Sequence, residues 1–342
     1  MNQALGVAEA LGLPFALKRL GWRRLASLPN ALLGASLLGV DAAFRASLAP
    51  PWPALAIAAG RRAAPVLRWL KGRSPATLAV QLMWPGSASG LDLVIVPAHD
   101  RAAGRPGIVT VPTVPHRLTP QRLRAAAEAA EAGVARLPRP RIACLVGGAS
   151  RRIRFTADQM RALAAEASAL ARSVGGALLV TTSRRTGTAL EEVLARSLSS
   201  PHRLHRFSCT EASPYEGWLG LADRVVVTGD SASLVSEACA VGRPVHLFRP
   251  PEWRLGRLDR LHESLAAAGR LTALAKATSE GPWRAGEVPP LNPAGEAARA
   301  IRTRAAGRPW QRAAGDIMLA ATPRSNPTEL QPACRRRATP SS

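Results

Sequence analysis

Between Thr228 and Glu237 the chain reads Thr-Gly-Asp-Ser-Ala-Ser-Leu-Val-Ser-Glu, residue types suited to holding an anion and a sugar. The run follows Arg224 to Val227, a β-branched stretch that reads as a buried strand. Asp230 or Ser231 can cap a helix, and Gly242 can end it. A helix that opens just past a strand's carboxyl end presents free backbone N–H groups and a positive dipole end to an anion. Ser233 and Glu237 stand four residues apart and share a helix face, where the carboxylate can accept from sugar hydroxyls. A cap alone accounts for Asp230 and Ser231, but not for Ser233, Ser236 and Glu237 early in an otherwise apolar helix. The expectation is a phosphosugar or nucleotide-diphosphate site built from Gly229, Asp230, Ser231, Ser233 and Glu237.

Other polar loops fall at predicted strand ends. Gly147 and Gly148, in Gly-Gly-Ala-Ser, would let backbone approach a ligand, although an ordinary tight turn reads the same way. Thr182, Ser183, Arg184 and Arg185 offer hydroxyls and two guanidiniums; arginine forks suit phosphate oxygens, and a solvated loop is the other reading. Gly60-Arg61-Arg62 could place a guanidinium at another strand end. His99-Asp100 and His116-Arg117 bring imidazoles that titrate near neutrality, so His99 with Asp100 is the candidate general base and His116 a candidate neighbour. Adjacent residues in extended chain point opposite ways, so His99 and Asp100 do not by themselves form a dyad. There is no nucleophile elbow, P-loop or metal-ligand helix, and neither metal nor cofactor is expected.

The elements that must carry these loops alternate. Ala4 to Leu11 reads as a helix with no strand before it, which suggests that the true start lies upstream of Met1. Strands are predicted at Pro14 to Leu20, Ala54 to Ala59, Thr77 to Leu82, Leu91 to Val96 and Ile108 to Val111, with helices from Ala63 and from Thr119. Leu137-Pro-Arg-Pro140 is a stiff linker. Strands at Arg141 to Val146, Ala177 to Thr181, Arg203 to Phe207, Arg224 to Val227 and Arg243 to Phe248 then alternate with helices, one opened by a Thr156/Gln159 capping box. The expected organisation is 1–138, a Rossmann-like acceptor-side domain possessing no opening strand; 139–280, a Rossmann-like donor-side domain; 281–312, a return segment with a helix; and 313–342, a disordered basic tail. The fold class is α/β, two parallel sheets with helices on both faces and ligands beyond the strand carboxyl ends.

The 342 residues carry a formal charge of +23, almost wholly from arginine, since Lys18, Lys71 and Lys276 are the only lysines. That balance favours anionic membranes or phosphorylated substrates. Nucleic acid is not expected: there is no zinc pattern, aromatic RNA-binding signature or basic recognition helix. The four cysteines form no close pair, so a disulfide framework is not indicated. The longest apolar window, Leu25 to Val40, is broken by Pro29-Asn30 and stops at Asp41, too short to span a bilayer. The reading is a cytoplasmic protein, peripheral to the inner face of the plasma membrane.

Seven short motifs occur in a fixed order: Asn2-Gln-Ala-Leu-Gly6, Ala58-Ala-Gly-Arg-Arg62, Val96-Pro-Ala-His-Asp100, Val146-Gly-Gly148, Thr181-Thr-Ser-Arg-Arg-Thr186, Pro214-Tyr215 and Val227-Thr-Gly-Asp-Ser-Ala-Ser-Leu-Val-Ser-Glu-Ala238. Together they resemble the mitochondrial-fission family named for the plant elongated-mitochondria factor, which has bacterial members. The family begins with a strand and glycine loop just before its Asn-Gln, and these are missing here. The resemblance implies a GT-B-like architecture, two Rossmann-like domains facing a cleft. The Gly-Gly turn and the serine-rich turn are also similar to the donor half of the glucosaminyltransferase that makes lipid II. By that likeness the helix N-terminus would hold a donor diphosphate and the glutamate a ribose, roles that fall on Asp230, Ser231, Ser233 and Glu237. The implied function is transfer of a sugar from a nucleotide-diphosphate sugar to a cell-envelope or lipid-linked acceptor. A non-catalytic adaptor on the same fold is the alternative.

Overall fold

The computed structural model describes residues 2–150, 153–278, 289–307 and 317–321. In chain order the elements are α1 (Asn2–Leu11), β1 (Phe15–Arg19), α2 (Asn30–Leu33), α3 (Ala42–Ala46), β2 (Leu55–Ala59), α4 (Ala64–Arg73), β3 (Leu78–Leu82), β4 (Leu93–Pro97) and β5 (Ile108–Val111). There follow α5 (Pro120–Ala130), β6 (Arg141–Val146), α6 (Ala157–Ser173), β7 (Ala177–Thr182), α7 (Thr188–Ser197), β8 (His202–His205), α8 (Tyr215–Leu221), β9 (Arg224–Thr228) and α9 (Ala232–Cys239). The last are β10 (Val245–Phe248), α10 (Arg257–Ala267), β11 (Thr272–Ala273), α11 (Pro293–Arg304) and β12 (Ile317–Ala321).

Two compact units result. Within the described residues the first runs to Arg117 and resumes at Asn292, and the second is Leu118–Leu291. The division therefore precedes α5 instead of falling at the proline linker. The reason is packing: α5 lies on α8, where a Cβ on Gly220 would come within 2.4 Å of the Leu123 carbonyl oxygen. Arg122 of α5 also meets Glu216 of α8 at 2.6 Å.

The first unit is a six-stranded parallel sheet in the order β1-β12-β2-β3-β4-β5. Strand residues alternate between its faces. Leu55, Ile57, Leu78, Val80 and Ile95 pack with α1 and α11, while Ala56, Ala58 and Ala79 pack with Val66, Leu67 and Leu70 of α4. Among the described residues no strand precedes α1. The place between β1 and β2 is taken instead by β12, parallel to both, with Phe15 opposite Ile317 and Ile317 opposite Leu55. This corrects the expectation of a tail from residue 313: Ile317–Ala321 is strand. Two facing strand edges otherwise have ladder groups to satisfy, and a short apolar run meets that need. The remainder of the expected tail, like 281–288 of the return segment, lies outside the described residues.

The second unit is also six-stranded and parallel, in the order β11-β10-β9-β6-β7-β8. Ile142, Cys144 and Val146 of β6 face α6, and Ala143 and Leu145 face the side of α8, α9 and α10. The capping box is present, with Thr156 and Gln159 bonding reciprocally at the start of α6. From β6 the chain builds outwards through β7 and β8, then returns to the other side of β6 with β9. The strand order thus reverses between β6 and β9. In open α/β sheets ligands bind at such a switch point, beyond the carboxyl ends of the strands.

Candidate functional site

Because β9, β6 and β7 are neighbours in the sheet, their carboxyl-end loops meet. The Gly147-Gly148 turn follows β6 and lies between the Asp230 loop after β9 and the Arg185 loop after β7. Asp230 is the keystone of the three. Its side chain is fully buried and pairs with Arg185 Nη2 at 2.6 Å. It also accepts from the Gly148 N–H at 3.0 Å and from the Thr228 hydroxyl at 2.6 Å. Thr228 Oγ1 in turn accepts from the Gly147 N–H at 2.8 Å. On the β7 side Thr186 donates to the Gly147 carbonyl, and the Ala149 N–H donates to the Arg185 carbonyl at 3.2 Å.

The geometry revises the role expected of the two glycines. A Cβ on Gly147 would lie 2.1 Å from Asp230 Oδ1, and one on Gly148 would lie 2.1 Å from the Arg185 carbonyl oxygen. The room that both glycines leave is filled by the protein itself. Asp230 likewise holds the loops together and does not face outward. Thr182 and Ser183 are similarly engaged: Thr182 donates to Glu191 at 2.5 Å and accepts from the Phe207 N–H, while Ser183 Oγ accepts from the Arg185 N–H. Of the four candidates Thr182 to Arg185, Arg184 is the exposed one.

What faces outward is the start of α9. Ser231 is its N-cap, and Ser231 to Leu234 are all half-exposed. The first N–H groups of a helix have no intrahelical partner, so this end offers donors to an anion. Ser236 does not join them: it is buried and donates to the Ala232 carbonyl. One turn further, Glu237 is half-exposed and accepts from the Tyr215 hydroxyl at 2.5 Å. Behind the turn, buried His262 of α10 stands against Gly229, where an added Cβ would come within 2.9 Å of its ring. Tyr215, Thr228, Glu191 and His262 were not among the residues singled out for the site. Sequence signals did exist for two of them: Tyr215 is the sole tyrosine and stands in the Pro214-Tyr215 motif, and Thr228 opens the polar run; Glu191 and His262 come from elements whose neighbours only the sheet order discloses.

Gly60, Arg61, His99, Asp100 and His116 belong to the first unit. Gly60, at φ 89°, turns the chain after β2, and Arg61 is held by the carbonyls of Ser27 and Leu28 and by Asn30 Oδ1. His99 and Asp100 follow β4, and His116 follows β5; all three are buried. Asp100 accepts from the Ala102 N–H at 3.1 Å, which makes it the cap of its own turn. Buried Cys144 and Cys239 have thiols pushed up to about 12 by loss of hydration, and serve as packing groups. Among the described residues no cluster of His, Cys, Asp or Glu is arranged to hold a metal ion.

The family model for mitochondrial fission ELM1 matches residues 1–305. The chain belongs to that family. The mitochondrial fission protein ELM1 of Arabidopsis thaliana is 26% identical over 305 residues, covering 82% of this chain and 70% of the plant protein. Among solved structures, MurG of Acinetobacter baumannii superposes with a TM-score of 0.46 at 13% identity, over 88% of this chain and 95% of that one. UDP-GlcNAc 2-epimerase of Neisseria meningitidis gives 0.46 at 14% identity, over 73% and 76%. The α/β class rests on the two parallel sheets themselves, and membership on the family match.

Proposed function

We propose that the second unit binds a nucleotide-diphosphate sugar and that the protein transfers the sugar to a cell-envelope or lipid-linked acceptor. The observation that carries this reading is the half-exposed opening of α9 at the β6–β9 switch point. The diphosphate would meet the N–H groups of α9 with Ser231 and Ser233, and Arg184 would offset charge on the leaving group. Glu237, already oriented by Tyr215, would accept from the ribose. Asp230 and Arg185 would hold the loops in place without touching the donor.

The test is a thermal-shift screen against nucleoside diphosphates and their sugars. A ligand present at a hundred times its dissociation constant stabilises by about 2.7 kcal/mol. Ser231→Ala and Glu237→Ala should abolish the shift, and Cys239→Ala should retain it. A shift that survives both site changes refutes this placement. An adaptor without catalysis is favoured by one observation: the Gly147 and Gly148 N–H groups are already taken by Thr228 and Asp230, so neither is offered to a donor diphosphate. Turnover of a bound sugar nucleotide, or its absence, separates the two readings.

A further inference from the structure

The described residues include five large apolar side chains that are exposed, and four of them lie between Leu25 and Leu38: Leu25 at 45%, Leu28 at 38%, Leu32 at 72% and Leu38 at 52%. This is the apolar window that is too short to cross a bilayer, and among the described residues no helix is long and apolar enough to do so. The segment is nevertheless compact. The Arg23 N–H donates to the Gly39 carbonyl at 2.9 Å, and a Cβ on Gly39 would lie 3.1 Å from Ala26 Cα, which sets Leu25 and Leu38 in adjoining stretches of chain. Arg61 grips the Ser27 and Leu28 carbonyls, and Asn30 spans from the Arg61 carbonyl to that of Pro85, both at 2.8 Å. The leucines are therefore held outward on a fixed scaffold.

Charge surrounds them. From Phe15 to Arg62 the chain has seven basic residues and one acidic residue, Asp41. Asp41 is spent on the N-terminus of α3, where it accepts from the Phe44 N–H at 2.8 Å. Among the described residues none of the seven cations forms an ion pair with a carboxylate, and Arg19, Arg23, Arg24 and Arg62 are exposed. Beside the leucines lies a cavity of about 880 Å³, bordered by Asn30, Arg61, Arg68 and Ser87. Its third cation, Lys71, is paired with Asp92 at 2.8 Å, while Arg61 and Arg68 are held by uncharged oxygens, so two positive charges stay unbalanced there.

We infer that this face of the first unit docks on an anionic phospholipid bilayer. Leu25, Leu28, Leu32 and Leu38 enter the boundary between headgroups and acyl chains, the surrounding arginines meet lipid phosphates, and the cavity at Arg61 and Arg68 receives one headgroup. Apolar insertion and attraction to anionic lipid are the two contributions that hold a protein on a surface without spanning it. The inference is independent of donor binding in the second unit and stands or falls separately.

The test is co-sedimentation of the full chain with vesicles of phosphatidylcholine alone and of phosphatidylcholine with phosphatidylglycerol. Binding is expected only to the mixed vesicles and should weaken as salt rises. Arg23→Ala with Arg24→Ala should lower the partition roughly thirty-fold. Leu28→Asp with Leu32→Asp should lower it at least as far, with an unchanged circular dichroism spectrum showing that the fold persists. Equal binding to both vesicle types, or leucine variants that bind like wild type, would overturn the inference. So would displacement from vesicles by millimolar glycerol phosphate, which would assign the cavity to a soluble phosphate. Self-association that the leucine changes abolish, in a protein that ignores vesicles, would assign the face to a second copy and equally overturn it.

Discussion

Replacing Asp230 tests the packing of the strand-end loops. The carboxylate is fully buried and serves three donors, the Gly148 N–H, the Thr228 hydroxyl and Arg185. In Asp230→Ala the two neutral donors lose their acceptor in a buried site, at roughly 1 kcal/mol each or more. Arg185 is one-third exposed, so water recovers part of its loss and its share is held to about 1 kcal/mol. The expected destabilisation is therefore about 3 kcal/mol. Asp230→Asn keeps the shape and one acceptor, and should cost about half as much. Urea unfolding followed by circular dichroism measures both, and amide exchange gives a local reading because the Gly148 N–H should lose protection. A double-mutant cycle with Arg185→Ala should return a coupling near 1 kcal/mol. A loss below about 0.5 kcal/mol for Asp230→Ala, with Gly148 still protected, would show that the carboxylate does not hold the loops together.

Three other outcomes follow from the structure. Gly147→Ala would push a methyl to 2.1 Å from Asp230 Oδ1 and should destabilise by about 1–3 kcal/mol, whereas alanine at Gly175, where a Cβ meets nothing within 4 Å but φ is 65°, should cost only about 1 kcal/mol; the two unfolding midpoints compare them. His246 is buried in β10 and its pKa is lowered to about 4, first by burial and then by Arg224, against an ordinary 6.5. The unfolded chain then binds the proton more readily, so this stability is complete above pH 6.5 and lost as pH falls towards 4, by roughly 3 kcal/mol in all. Urea midpoints from pH 7.5 to 4.5 should fall less steeply in His246→Val than in wild type, and identical slopes would refute the assignment. Of the three described cysteines, half-exposed Cys209 should react with a thiol reagent in the native state, while Cys144 and Cys239 should wait for unfolding.

Much of the scaffold was legible before the structure because it rests on local pattern. Ile142 to Val146 is a continuous apolar run bounded by prolines and glycines, and the observed strand, Arg141–Val146, has the expected limits. Thr156 and Gln159 announce a helix start by a reciprocal bond that three-residue spacing makes readable. The site was legible as a place but not as a division of labour. Asp230, Ser231 and Ser233 look alike in sequence, yet one is enclosed by Gly147 and Arg185 and two face solvent. That difference is set by the neighbours of β9 and β6 across the sheet, more than 80 residues apart in the Gly148–Asp230 bond. The region of α2 and α3 was opaque for a related reason. Its turns are fixed by Asn30, Arg61 and Pro85, contacts that no local periodicity encodes.

The insertion of β12 between β1 and β2 has a consequence for biosynthesis. The first unit needs Ile317–Ala321 to join its edge strand to the rest of its sheet, and α11 to cover its core. The described part of the second unit, Leu118–Leu291, precedes both of those elements in the chain. On a vectorially emerging chain the first unit is thus the later of the two to close, because β12 and α11 follow the second unit in the chain.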